Sequence, residues 1–275
     1  MRSRNKLSFQ TIWTALLVVG GIGFALFKKY EPKVEVVYYP TTENLPITVY
    51  KKENFVWGDE FLSYEDDIYT SSIGIDVSTF QDTINWAKVK QAGIEFAYIR
   101  IGRRGATTSY LHEDVDFKRN YDGAVNNGIK VGVYFFSQAI TQQEAIEEAD
   151  YCLELLGDRK LDLPIAFDYE ESDLEGARTE NLNAEQATEN AIAFMEELKA
   201  KGHKGVIYTN LNWANNMYDL KQLSNYDFWF AQYGTDNPKL KVPFSIWQYT
   251  DKGSVEGIDT YVDMDIMFKR KSDRY

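Results

Sequence analysis

From residue 72 onward, short apolar runs rich in β-branched and aromatic residues alternate with longer amphipathic runs. No other feature limits the possible folds as tightly. Strands are expected at residues 73–78, 96–101, 131–136, 163–170 and 206–209, and again at 228–232, 244–249 and 262–266. Helices are expected at 84–92, 116–127, 141–156 and 184–201. Gly93 and Gly128 follow the first two helices as stop signals, and Thr141 with Glu144 three residues on forms a capping box for the third. Strand, helix and strand in repetition predict parallel βα units. Only about a dozen residues separate the last strands, too few for a full crossover helix. The expected fold is therefore α/β: an irregular, closed (β/α) barrel of the TIM-barrel kind. An open doubly wound sheet competes, but no Gly-x-Gly-x-x-Gly fingerprint supports it.

A different segment precedes this body. Residues 7–27 form a run of 21 residues without a charge. As a helix it would reach about 30 Å, the thickness of a bilayer core. Arg2, Arg4 and Lys6 precede it and Lys28 and Lys29 follow it, and no good Ala-x-Ala cleavage site stands at its end. We expect a short basic cytoplasmic tail at 1–6, an uncleaved transmembrane anchor at 7–27, a stalk or accessory segment at 28–71 and the main folded domain at 72–275. The domain would then lie outside the cytoplasm, with the N-terminus inside.

Charge sharpens the division. The formal net charge is −12, but residues 1–30 carry five basic and no acidic side chains. The body thus holds all 42 acidic residues, which disfavours nucleic acid as a partner. One cysteine, Cys152, excludes an intramolecular disulfide, and two histidines, His112 and His203, leave little for a zinc site. The chain is expected to act as a monomer without metal or organic cofactor.

Parallel α/β barrels place their sites at the carboxyl ends of the strands, and here each end carries a polar residue. In order these are Asp76, Arg100, Tyr134, the pair Asp168 and Glu170, Tyr208, Gln232, the segment Trp247 to Tyr249, and Asp263 with Asp265. Asp168 and Glu170 are two apart on a strand, so both point to one face with α-carbons about 6.5–7 Å apart. Two confined carboxyls separate in proton affinity, leaving one protonated and one ionised. That suits glycosidic bond cleavage, in which one group protonates the leaving oxygen and another stabilises positive charge. A single strand-end Asp is more often a cap or a loop acceptor, but Asp76, Asp168, Glu170 and Asp263 together are harder to read so. A carboxylate cluster holding Mg²⁺ or Ca²⁺ is a competing reading.

These residues carry a resemblance. Gly74-Ile-Asp76-Val-Ser78-x-x-Gln81, Ile84-Asn-Trp86, Gly132-Val-Tyr134-Phe-Phe, Asp168-Tyr-Glu170, Ile207-Tyr208-Thr, Trp247-Gln248-Tyr249 and Gly257-Ile-Asp-x-x-Val-Asp263 stand in the order found in glycoside hydrolase family 25 lysozymes. The chain resembles these N-acetylmuramidases over about residues 72–269. The resemblance implies eight strands with about five helices, and cleavage of the β-1,4 bond between N-acetylmuramic acid and N-acetylglucosamine in peptidoglycan glycan strands. Glu170 would then match the general acid and Asp168 its neighbouring carboxylate, with Asp76 and Asp263 lining the cleft. Arg100, Tyr134, Tyr208, Gln232, Trp247 and Tyr249 are the candidate sugar contacts. The sequence departs from the family at Asp265, where Asn is frequent, and leaves Asp263 against Asp265 open. It also leaves open whether the stereochemistry is retaining or inverting. A non-catalytic sugar-binding barrel of the envelope is the alternative from another class.

Overall fold

The computed structural model describes residues 50–274, apart from 59, 60 and 173. The expected anchor at 7–27 and most of the expected stalk lie outside the described residues. Among the described residues, no helix is long and apolar enough to cross a membrane.

A two-stranded hairpin, β1 (Phe55–Trp57) and β2 (Leu62–Tyr64), leads into a barrel. Its first half holds β3 (Tyr69–Val77), β4 (Phe96–Arg104), the short β5 (Leu111–Glu113), β6 (Lys130–Ser137) and β7 (Ile165–Tyr169). The second half holds β8 (Gly205–Asn210), β9 (Phe228–Ala231), β10 (Ile246–Gly253) and β11 (Val262–Arg270). Five α-helices are interspersed: α1 (Trp86–Gln91), α2 (Phe117–Asn126), α3 (Gln142–Leu156), α4 (Ala184–Ala200) and α5 (Leu211–Asn216). The expected barrel of eight strands and about five helices is the observed one. The short β5 is an extra, antiparallel extension of β4.

Strands β3, β4, β6, β7, β8, β9 and β10 are parallel neighbours in sequence order. The ring closes through β11, which runs antiparallel to both β10 and β3. The connection between β10 and β11 is too short for a crossover, so the chain can only turn back on itself. Reversal brings the N-terminal end of β11, not its carboxyl end, to the face where the other strands finish. Asp263 therefore lies directly opposite Asp76.

Helix starts follow local chemistry. Side-chain oxygens of Asn85, Thr141, Asn183 and Asn210 each accept from a backbone N–H in the first turn of α1, α3, α4 and α5. The capping box expected at Thr141 is displaced by one residue. Its Oγ1 accepts from the Glu144 N–H at 3.2 Å, but the Glu144 carboxylate accepts from Ile140, one residue before the cap. At Gly157, after α3, φ is +56°, a conformation that a β-carbon would strain.

Alternation along the strands sorts apolar residues into two cores. Phe96, Tyr98, Ala166, Val206, Trp229 and Ile246 fill the barrel interior. Their neighbours in sequence, such as Ala97, Ile99, Phe167 and Phe230, pack outward against the helices and the hairpin. Gly74 makes this filling possible, because a β-carbon there would fall within the Phe96 ring. The described part of the expected stalk belongs to the outer core. Tyr50 stacks on Phe268 with centroids 3.6 Å apart, and Phe55 meets Trp247 edge-on at 5.3 Å. Since β3 begins at Tyr69, the expected boundary between 71 and 72 falls inside a strand.

Candidate active site

A cavity of about 230 Å³ opens where the parallel strands end, and Asp76, Asp168, Glu170 and Asp263 all line it. Arg100, Tyr134 and Tyr208, expected as sugar contacts, line it too. Asp168 sits on β7 with Ala166 facing the interior, while Phe167 and Tyr169 face out, as period-two alternation requires. Glu170 follows the last residue of β7 at the cavity mouth.

The four acids differ in their surroundings. Asp76 is buried, and its Oδ2 accepts from Gln248 Nε2 at 2.7 Å. Burial drives its carboxyl well above the usual range, and Asp263 and Asp265 add to the rise. Asp168 is raised by burial and by Glu170, with Arg100 opposing. Its Oδ1 is buried without a hydrogen-bond partner among the described residues. Burial also raises Glu170, against hydrogen bonds from Asn210 and Tyr208 that hold it down. Asn210 Nδ2 lies 3.3 Å from Glu170 Oε1. Asp263 is pushed up to about 6, by burial first and then by Asp251 and Glu170. Burial thus favours the protonated form of each of the four acids, the direction that a proton donor needs.

Geometry separates Asp263 from Asp265. Asp265 is fully buried beneath the cavity, with its Oδ1 accepting from Trp229 Nε1 at 2.7 Å. Asp263 reaches the cavity itself.

Three expected contacts stand elsewhere. Trp247 is fully buried in the outer core, its indole N–H donating to the Gln232 carbonyl at 2.9 Å. Tyr249 packs edge-on against Trp57 outside the barrel. Gln232 braces its own loop, Oε1 accepting from the Lys239 N–H at 2.9 Å. The alternation that points Trp247 and Tyr249 outward turns Gln248, between them, inward. Its Oε1 accepts from Tyr208 and Tyr233 hydroxyls at 2.9 and 2.6 Å. Period-two reading of β10 would have found Gln248, since the three cannot share one face. Phe80, Trp229 and Tyr233 also line the cavity without having been singled out. Phe80 is 74% exposed and carries the Arg100 guanidinium 5.0 Å above its ring. Arg100 in turn donates to Asp114 at 2.8 Å, which fixes its fork beside Asp168.

A larger groove, about 1730 Å³, runs between the hairpin and α1 past Trp57, Trp86 and Tyr249. None of the four acids reaches it, so the chemistry belongs to the smaller cavity. Among the described residues, no three His, Cys, Asp or Glu side chains are grouped to hold a metal ion.

Comparison with known proteins identifies the family. Residues 75–258 match the family model of the glycosyl hydrolases family 25. The chain is 29% identical over 192 residues to an autolytic lysozyme of Clostridium acetobutylicum, covering 70% of this chain and 54% of that one. It is 33% identical over 199 residues to lysozyme M1 of Streptomyces globisporus, covering 69% and 65% respectively. The chain thus spans about half of the first relative's length and about two thirds of the second's. The crystal structure of a bacterial lysozyme from Streptomyces coelicolor superimposes with a TM-score of 0.62 at 30% identity, covering 73% of this chain and 92% of that one.

Proposed function

The chain belongs to glycosyl hydrolase family 25, and from that membership we propose that it is a peptidoglycan hydrolase, a muramidase. It would cut the β-1,4 bond between N-acetylmuramic acid and N-acetylglucosamine. Entry of Asp168 and Glu170 into one cavity, in unlike surroundings, is the observation that carries this reading. Glu170, at the mouth, holds its proton because burial disfavours the carboxylate, and it donates that proton to the leaving glycosidic oxygen. Asp168 lies deeper, beside Arg100, and its unpartnered Oδ1 is free to accept from the substrate's N-acetyl N–H or to face the developing positive charge. Asp76 and Asp263 on the opposite wall shape the cavity's field. Arg100, Tyr134 and Tyr208 contribute polar contacts, and the exposed Phe80 ring offers a flat apolar surface to a sugar.

The anchor at 7–27 belongs to the same proposal. A monomer held by it at the outer membrane face would keep the barrel next to its insoluble polymer, with the N-terminus inside.

Replacing Glu170 by Gln tests the assignment on purified peptidoglycan. The variant should fold normally and lose about 100- to 10,000-fold in the release of reducing ends, the usual weight of a general acid. Mass spectrometry of the wild-type digest should find products ending in reducing muramic acid. Reducing glucosamine ends would assign a different bond, and saccharide binding without new ends would show a binding barrel.

A further inference from the structure

Glu170 stands one residue beyond β7, so the sheet ladder does not hold its carbonyl. A buried amide does. Gln138 follows the last residue of β6 and is fully inaccessible. Its Nε2 donates to the Glu170 carbonyl at 3.2 Å and to the Ser137 carbonyl at 2.8 Å. Its Oε1 accepts from Thr179 Oγ1 at 3.2 Å, and its own carbonyl accepts from Arg178 Nη1 at 2.8 Å. One side chain therefore grips both ends of the loop from Glu170 to Thr179.

An amide suits both ends. The Glu170 carbonyl can only accept, and the Thr179 hydroxyl donates here, so the amide's N–H and its oxygen are both used. The grip is itself braced. The Gln138 N–H donates to Glu148 Oε1 at 3.4 Å, and Glu148 is held by Ser137 at 2.5 Å and by Arg104 at 2.7 Å. Arg178 is fixed by Glu144 at 2.5 Å.

We propose that Gln138 is a positioning residue for Glu170, setting the height at which its carboxyl enters the cavity by tying the Glu170 carbonyl to the Thr179 hydroxyl at the far end of the following loop. The proposal rests on the reading of Glu170 as proton donor. Its leverage lies in tolerance: a misplacement of about 1 Å can cost about 100-fold in rate. Around Glu170 stand Asp168 from β7, Tyr208 and Asn210 from β8, Asp263 from β11 and Tyr233 after β9. Around Gln138 stand Glu144 and Glu148 from α3, Arg104 from β4 and Arg178. Loosening the clamp lets water reach the Glu170 carboxyl. Its proton affinity then falls, and the alkaline limb of activity moves to lower pH.

The test uses the full chain on purified peptidoglycan, with Gln138→Met, Thr179→Val, Thr179→Ser and Glu170→Gln measured together. Gln138→Met should lower the saturating rate about 30- to 100-fold with the half-saturating peptidoglycan concentration within about twofold, and should move the alkaline limb down. Thr179→Val should shift the limb the same way but less, and Thr179→Ser should behave as wild type. A wild-type rate in Gln138→Met, or a reduced rate with an unmoved limb, overturns the proposal. If Gln138→Met does not fold, the Thr179 pair decides, and equal limbs in Val and Ser variants overturn it. Loss in Gln138→Met beside full activity in Glu170→Gln overturns the reading of Glu170. Full activity in Gln138→Met beside loss in Glu170→Gln overturns the positioning role alone.

Discussion

Each carboxyl around the cavity takes its character from what stands beside it. Asp263 is the most accessible to a solution test because its carboxyl is pushed up to about 6 by burial, Asp251 and Glu170. In the unfolded chain it would titrate near 3.8. The folded state thus binds the proton more tightly, and stability is lost as pH rises from about 4 through about 6. Asn carries no charge to desolvate, so Asp263→Asn should raise stability by ~2 kcal/mol above pH 6. The gain should vanish below about pH 4, as thermal unfolding across that range would record. A constant gain at every pH would mean that packing, not charge, separates the two residues. Asp168 and Glu170 were legible because two residues on a strand share a face. The aromatic character of Trp247 and Tyr249 suggests sugar contacts, but alternation turns Gln248 alone of the three toward Asp76.

Between elements, the joint of β4 with α3 depends on a buried ion pair. Arg104 and Glu148 are 2% and 0% exposed and meet at 2.7 Å. Arg104 also donates to the carbonyls of Ser109 and Glu144 at 2.7 and 2.9 Å and meets Glu147 at 3.4 Å, so each of its three nitrogens is engaged. Burial pushes the Glu148 carboxyl up to about 7, while Ser137, Arg104 and Gln138 hold it down. Removing one member leaves the other uncompensated, so Arg104→Met should cost about 3–5 kcal/mol in urea unfolding. Replacing Glu148 by Leu in addition should recover much of that loss, because the orphaned carboxylate is gone. An unrecovered double variant would show that the Arg104 bonds to carbonyls carry the joint. The helices at 84–92, 116–127, 141–156 and 184–201 were legible from their amphipathic periodicity, with a cap read only at Thr141; Asn85 and Asn183 cap the starts of two others. The six-residue α5 carries no glycine stop of the kind that Gly93 gives the equally short α1, and its Asn-rich sequence shows no amphipathic repeat. The partner of Arg104 lies 44 residues away, and no local pattern names it.

For the whole molecule, closure of the ring is the decisive event. The barrel interior admits Phe96 only because Gly74 on the neighbouring strand has no side chain. Gly74→Ala should therefore destabilise by about 1–3 kcal/mol, the usual cost of overpacking. Adding Phe96→Leu should return much of it in thermal unfolding, and failure to do so would place the strain in the backbone of β3. The sequence by itself determined the order of the barrel strands and the longer helices, the cap at Thr141, and the convergence of Asp168 and Glu170, because each follows from a pattern within a few residues. It also determined the family, through motifs spread along the chain in fixed order. Only the tertiary structure decided the reversed direction of β11, the packing of the hairpin on the barrel and the meeting of Gln248 with Asp76. Only there, too, does Gln138 meet Glu170. These depend on which distant surfaces come together: the bond from Gln248 to Asp76 spans 172 residues. Local periodicity carries no information about contacts at that range, and closure of the barrel creates them.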